Sequence, residues 1–218
     1  MEEYPKLKTL YKLQPTIEGK KKWGCSDGEI LPETAALHHF PIEELIFTEK
    51  IDGTNMGIEV IHGRVNKVIK RHGDACLRGS NDDKFYLEKA DELTDRFLEV
   101  PMGHMTFFGE LCGPKIQHGG NYFSKRQFVC FDIYDHVEDK FFRWKAVEHF
   151  CNELGIPTAP VIEYPYETLE SKYVAEYILN LYSKFNPKFP AEGMVVRHQD
   201  DTATTRRFMA KIRKRDFA

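Results

Sequence analysis

Lys50 stands in the stretch FTEKIDGTNMGIEV, Phe47 to Val60, where an apolar run (Leu45, Ile46, Phe47) breaks into a turn bearing Gly53. The chain reads as strand again from Met56 to Ile61, so this lysine is expected at the end of a buried strand, followed at once by Asp52 and Gly53. Lysine is ordinarily found on a solvated face. A lysine amine has a free pKa of about 10.4; apolar surroundings and neighbouring cations disfavour its charge and make it a usable nucleophile. Asp52 is expected to shape the turn through its own backbone, and Gly53 to let backbone come close to a phosphate.

The elements that must hold such an amine are legible in outline. Strand signals, β-branched or aromatic residues bounded by Gly, Pro, Asn or Asp, fall at residues 45–48, 56–61, 64–70, 105–111, 127–134, 158–163, 193–198 and 207–212. MGIEVIHGRVNKVIKR predicts a hairpin turning at His62-Gly63. Helical spacing runs over 82–99 with Phe85, Lys89, Leu93 and Phe97 on one face. It returns over 143–154, with Val147, Phe150 and Leu154 inward and Gly155 placed to stop it, and over 167–183 with Leu169, Tyr173, Tyr177 and Leu181 aligned. These stripes read as core. The sum is an α+β chain of mainly antiparallel sheets flanked by helices, expected as a single domain over residues 1–218.

Composition narrows the class. With 41% hydrophobic and 30% charged residues the chain can bury a core without staples. No apolar segment approaches the roughly 20 residues of a membrane helix, and no leader is visible behind Met-Glu-Glu-Tyr-Pro, so a membrane partner is not expected. Five scattered cysteines without a C-x-x-C pair speak against a disulfide framework or zinc finger and for a reducing, cytoplasmic compartment. His38-His39 has no Cys or carboxylate at metal spacing. The net charge of −3 does not advertise nucleic acid, but basic residues crowd at Lys20-Lys21-Lys22 and in RRFMAKIRKR, 206–215. In the second run Phe208, Met209, Ala210 and Ile212 interleave with the charges as on a half-buried strand.

K-x-D-G alone is a weak motif. Here it is followed in order by KRHG (70–73), FFGELCGPKIQ (107–117), FVCFDIYD (128–135), AEGMVVR (191–197) and MAKIRK (209–214). This succession resembles the covalent nucleotidyltransferases: ATP-dependent DNA ligases, RNA ligases and mRNA capping enzymes. EKIDGTN, with FGELCGPKIQ and CFDI, looks most like the nick-sealing RNA ligases of phages and of kinetoplastid RNA editing. The resemblance spans about Leu45 to Phe217.

It implies a nucleotidyltransferase fold with the nucleotide pocket between sheets, and an ATP-dependent RNA ligase that forms lysyl-AMP on Lys50, transfers AMP to a 5′-phosphate and joins that end to a 3′-hydroxyl. Lys211 and Arg213 would act with Lys50 by neutralising charge on the α-phosphate. Glu49 and Ile51 would line the adenine, Asn55 would reach phosphate, Arg71 would contact ribose and phosphate, Glu110 would accept from ribose hydroxyls and Phe131 would stack on the base. Glu192 would hold the metal, Mg²⁺ or alternatively Mn²⁺. The implied partner is RNA with 5′-phosphate and 3′-hydroxyl ends, as nicked duplex, its backbone meeting the 206–215 strand and Lys20 to Lys22. Plainer roles stand beside these: Glu110 as a hairpin cap, Phe131 as core, Arg71 as a surface charge.

In relatives the last motif commonly reads K-x-K, whereas Arg213 follows Lys211 here. Arginine keeps the charge and adds a planar donor fork. The sequence ends at Ala218, so no C-terminal helical or OB domain is expected within it, and a partner subunit is the expected substitute. Three other readings remain open: DNA sealing, guanylyltransferase-like capping, and a non-sealing module that binds nucleic-acid ends.

Overall fold

The computed structural model describes residues 3–13, 26–71, 73–75, 81–116 and 122–217. Lys20 to Lys22, Cys25, His72, Cys76 and Gln117 lie outside them. In chain order the strands and helices are β1 (Tyr11–Leu13), β2 (Ser26–Ile30), β3 (Leu45–Lys50), β4 (Thr54–Ile61), β5 (Arg64–Lys70), β6 (Gly73–Asp74), α1 (Asn81–Glu99), β7 (His104–Cys112), β8 (Gln127–Asp135), β9 (Lys140–Phe141), α2 (Trp144–Glu153), α3 (Ser171–Leu179), β10 (Gly193–His198) and β11 (Met209–Arg213). The chain forms two compact units, and the division falls between Lys50 and Ile51.

One unit comprises residues 1–5, 51–159 and 202–206. Its sheet runs β6-β5-β4-β7-β8-β9, antiparallel throughout. The β4–β5 hairpin turns where expected, with His62 at φ 48° and Gly63 at φ 76°, the left-handed pair a two-residue turn needs. α1 packs on β5 and β4 through Tyr86, Ala90, Leu93 and Phe97, and Phe97 meets Phe107 at 5.0 Å. α2 covers β8 with Val147 and Cys151, and Gly155 at φ 61° closes it. On the other side Phe108, Tyr134, Phe141 and Ile69 form an aromatic cluster onto which Tyr4 folds.

The second unit comprises residues 6–50, 160–201 and 207–218. Its central sheet is β11-β10-β3, and its period-two alternation is strict. Leu45, Phe47, Met194, Val196, Ala210 and Ile212 share the face that joins Leu169, Val174 and Ile178 in one core. The segment before β1 backs β11: Leu10 N–H donates to Lys211 C=O at 3.1 Å, and Lys211 N–H to Lys8 C=O at 2.9 Å.

Two expected elements differ. Residues 158–163 form no strand, only isolated bridges at Thr158 and Val161. Pro157 and Pro160 have no N–H to give a ladder, and their carbonyls instead accept from Cys130 and Glu49. The third helix is Ser171–Leu179 rather than 167–183, and Val174 and Ile178 are its buried residues, with Tyr177 partly buried against the same core. Tyr177 donates its hydroxyl to Glu163 C=O at 2.9 Å and Tyr173 stacks on Tyr166, so these rings sit on the helix flank.

Candidate active site

The register of β3, β10 and β11 gathers the charged residues of three separate motifs. Lys50, Gly193 and Arg213 form one row across the sheet; Thr48, Val195 and Lys211 form another two residues along, on the same face. Lys50 closes β3, and its Nζ donates to Glu192 Oε2 at 2.5 Å, the two side chains being 23% and 21% exposed. Gly193 is required where it stands. A Cβ there would lie 2.0 Å from the Ile212 carbonyl oxygen, so only glycine lets β10 sit this close to β11 beside Lys50.

The Lys50 amine is partly exposed and rests on a carboxylate rather than in an apolar pocket. Lys211 is pushed toward neutrality. Burial first, then Arg213, Lys50 and Lys6, lower its pKa to about 8. The sign follows from linkage: an unfolded lysine still binds its proton between pH 8 and about 10.4, and the folded one sheds it. The penalty is therefore full below pH 8 and fades as pH rises. Lys211→Met is expected to raise the melting temperature by a few degrees at pH 7, a gain that shrinks toward pH 10; thermal melts across that range check it.

Arg213 is 8% exposed and already engaged. Its Nη2 and Nε donate to Asp216 Oδ1 at 2.7 and 3.0 Å, and Asp216 Oδ2 accepts from the Arg213 backbone N–H at 3.0 Å. Arg207 likewise donates through Nε to Asp201 Oδ2 at 2.9 Å, with side chains 4% and 1% exposed. Two cations of the 206–215 run are thus held by buried carboxylates, which corrects the picture of that whole strand as a phosphate-facing surface.

Glu49 faces away from Lys50. Neighbours on a strand point to opposite sides, so Glu49 enters the row of Met194 and Ile212. It is buried there, and Oε2 accepts from the Lys184 N–H at 2.8 Å while Oε1 has no hydrogen-bond partner among the described residues. Burial raises its carboxyl pKa, against the pull of the Ser183 and Lys184 contacts.

The other predicted residues lie in the first unit. Asn55 on β4 pairs directly with Glu110 on β7, and both are half-buried. Ile51 is buried at 5% exposure. Gly53 serves packing in the structure, where a Cβ would meet the Leu111 carbonyl oxygen at 2.5 Å. Arg71 is exposed just past the end of β5, whose last residue, Lys70, pairs with the buried Asp83 at 2.8 Å. Phe131 is the extra residue of a β8 bulge, since Gly109 faces Cys130 while Phe108 faces Asp132. Its ring lies edge-on to Tyr4 at 4.9 Å, and Tyr4 donates its hydroxyl to Asp132 Oδ2 at 2.7 Å. Sequence reading missed Tyr4 and Asp201; Asp216 carried a local signal, an acid three residues after Arg213.

Glu192 can take a divalent cation, since a partly exposed carboxylate offers the hard oxygen such ions prefer.

The RNA ligase family profile matches residues 43–213, and the chain belongs to that family. No curated protein matches it. Among solved structures, a lysine-to-alanine mutant of the Naegleria gruberi RNA ligase with ATP and Mn shares 17% identity at TM-score 0.66, covering 96% of this chain and 62% of that one. The same ligase with PPi shares 20% at TM-score 0.60, over 96% and 61%. A lysine-to-methionine mutant with AMP and Mn shares 17% at 0.65, again over 96% and 61%. The chain therefore spans about three fifths of the length of these ligases, and the likeness shows a shared fold.

Proposed function

We propose that the chain is an ATP-dependent RNA ligase working through a lysyl-AMP intermediate. Lys50 Nζ, once deprotonated, attacks the α-phosphorus of ATP; the bond to the pyrophosphate oxygen breaks and a phosphoramidate forms. AMP then passes to an RNA 5′-phosphate, restoring the amine, and a 3′-hydroxyl displaces AMP to close the phosphodiester. The observation that carries this reading is the sheet register that sets Lys50 and Lys211 on one face, on either side of β10, with Glu192 immediately before β10 and hydrogen-bonded to Lys50.

In the structure Lys50 donates to Glu192, so attack requires that hydrogen bond to be released and the nitrogen lone pair turned to phosphorus. Glu192 would hold Mg²⁺ or Mn²⁺, whose charge offsets that of the phosphates. Lys211 in its charged form stabilises the oxyanion that develops on the α-phosphate. Arg213, locked to Asp216, positions β11 more than it touches substrate. Asn55, Arg71, Glu110 and Phe131 keep the nucleotide-binding roles that the resemblance implies, with Ile51 and the backbone at Glu49 against the base. The substrate is RNA with a 5′-phosphate and a 3′-hydroxyl, taken as nicked duplex, and a partner subunit would assist its capture.

Incubation with ATP labelled at the α-phosphate is expected to yield one acid-labile AMP per chain, mapped by peptide mass spectrometry to the segment bearing Lys50. No covalent AMP, or AMP on another residue, refutes the proposal.

A further inference from the structure

Glu59, His104 and His136 are 45 and 32 residues apart in sequence, yet the six-stranded sheet brings them together. Glu59 on β4 faces Thr106, Ile61 faces His104, and the His136 N–H donates to the His104 carbonyl just beyond β8. Their three donor atoms lie within 4.8 Å of one another, among the described residues the one such group. We propose that these side chains form a zinc site that ties β4, β7 and β8 together. The proposal is independent of the ligase reading.

Two imidazoles and one carboxylate suit zinc, which accepts nitrogen and oxygen donors in tetrahedral array, and suit magnesium poorly. Zinc bonds of about 2.0–2.1 Å require donors about 3.3 Å apart, so the His104–Glu59 contact must open by about 0.7 Å as His136 swings in. His104 Nε2 already meets Glu59 Oε1 at 2.6 Å. The imidazoles stack in parallel at 3.8 Å, and one ring must tilt for both lone pairs to converge. His136 would do so by exchanging its 2.8 Å hydrogen bond to Thr106 Oγ1 for the metal.

The donors are supported from behind. Asn66, the extra residue of the bulge in β5, donates to Glu59 Oε2 at 3.0 Å, as carboxylates that bind metals usually require. Protonation favours binding too. Burial, with His104 beside it, lowers His136 to about 4, so its imidazole is neutral at pH 7. Burial alone would raise the Glu59 carboxyl, but hydrogen bonds from His104 and Asn66 leave it below its usual value, hence ionised. The His104 side chain is 34% exposed, which gives an ion a way in.

The test is zinc titration of the chelator-stripped chain by calorimetry, with bound metal counted by mass spectrometry. One equivalent is expected at micromolar affinity or tighter, unaffected by millimolar Mg²⁺ and raising the melting temperature by several degrees. Cobalt in its place should give the intense visible bands of tetrahedral coordination. His104→Gln with His136→Gln should abolish this equivalent. Glu59→Gln, whose amide can still bond Asn66 and His104, should weaken it at least tenfold with the fold intact by circular dichroism. Absence of binding at 100 µM zinc, equal binding by Glu59→Gln, or displacement by Mg²⁺ overturns the proposal.

Discussion

Lys50→Arg is expected to keep the fold and the contact with Glu192 while losing all adenylylation. Arginine retains the positive charge and can donate to the carboxylate, but its guanidinium does not deprotonate near neutral pH and cannot serve as the nucleophile. The strand-end position is unchanged, because Lys50 is paired through backbone to Gly193 and only its side chain differs. Lys50→Ala removes the contact as well. The pair is partly exposed, so its loss should cost about 1 kcal/mol or less in stability. Both variants should show covalent AMP formation reduced by at least ~10⁴-fold, the scale on which enzymes lose a nucleophile. Sealing of a strand supplied already adenylylated at its 5′-phosphate should survive better, since that step no longer needs the amine to attack. Measurable AMP transfer by Lys50→Arg, with a melting temperature near the parent's, would show that the lysine only holds Glu192.

The motifs were legible because covalent catalysis restricts residue type locally: Lys50, Glu192 and Lys211 each stand in a recognisable stretch. What joins them, the β3-β10-β11 register, depends on β3 pairing with β10 about 140 residues further along and leaves no local mark. Two facts were within reach. Strand alternation sends Glu49 to the face opposite Lys50, and Asp216 follows Arg213 at a spacing that allows a side-chain pair. Others were not. The Phe131 bulge arises from how β7 and β8 slip at Gly109, and the prolines that remove a strand at 158–163 compete with a sequence otherwise rich in β-formers. Glu59, His104 and His136 carry no sequence pattern, because their association exists only through the pairing of β4, β7 and β8 within the six-stranded sheet.

Arg213 is where stability and chemistry compete, and Asp216 separates them. The pair is buried, with side chains 9% and 5% exposed, and one carboxylate meets the guanidinium and the Arg213 backbone N–H together. Asp216→Ala leaves a guanidinium out of water with no counter-charge, a change that typically costs about 3–5 kcal/mol. For a chain of this size that corresponds to a drop of roughly 6–20 °C in melting temperature. Arg213→Met with Asp216→Leu removes both charges and should recover most of the loss, because desolvation of the pair is removed along with its attraction. If Arg213 acts mainly by fixing β11, the double variant should keep most of its adenylylation rate at a temperature where it is folded. If instead the guanidinium reaches the α-phosphate, the rate should fall by 10²-fold or more while the melting temperature is restored. The geometry favours the first outcome, since the hydrogen bonds to Asp216 occupy the Nε/Nη2 edge of the guanidinium and hold it turned toward that carboxylate.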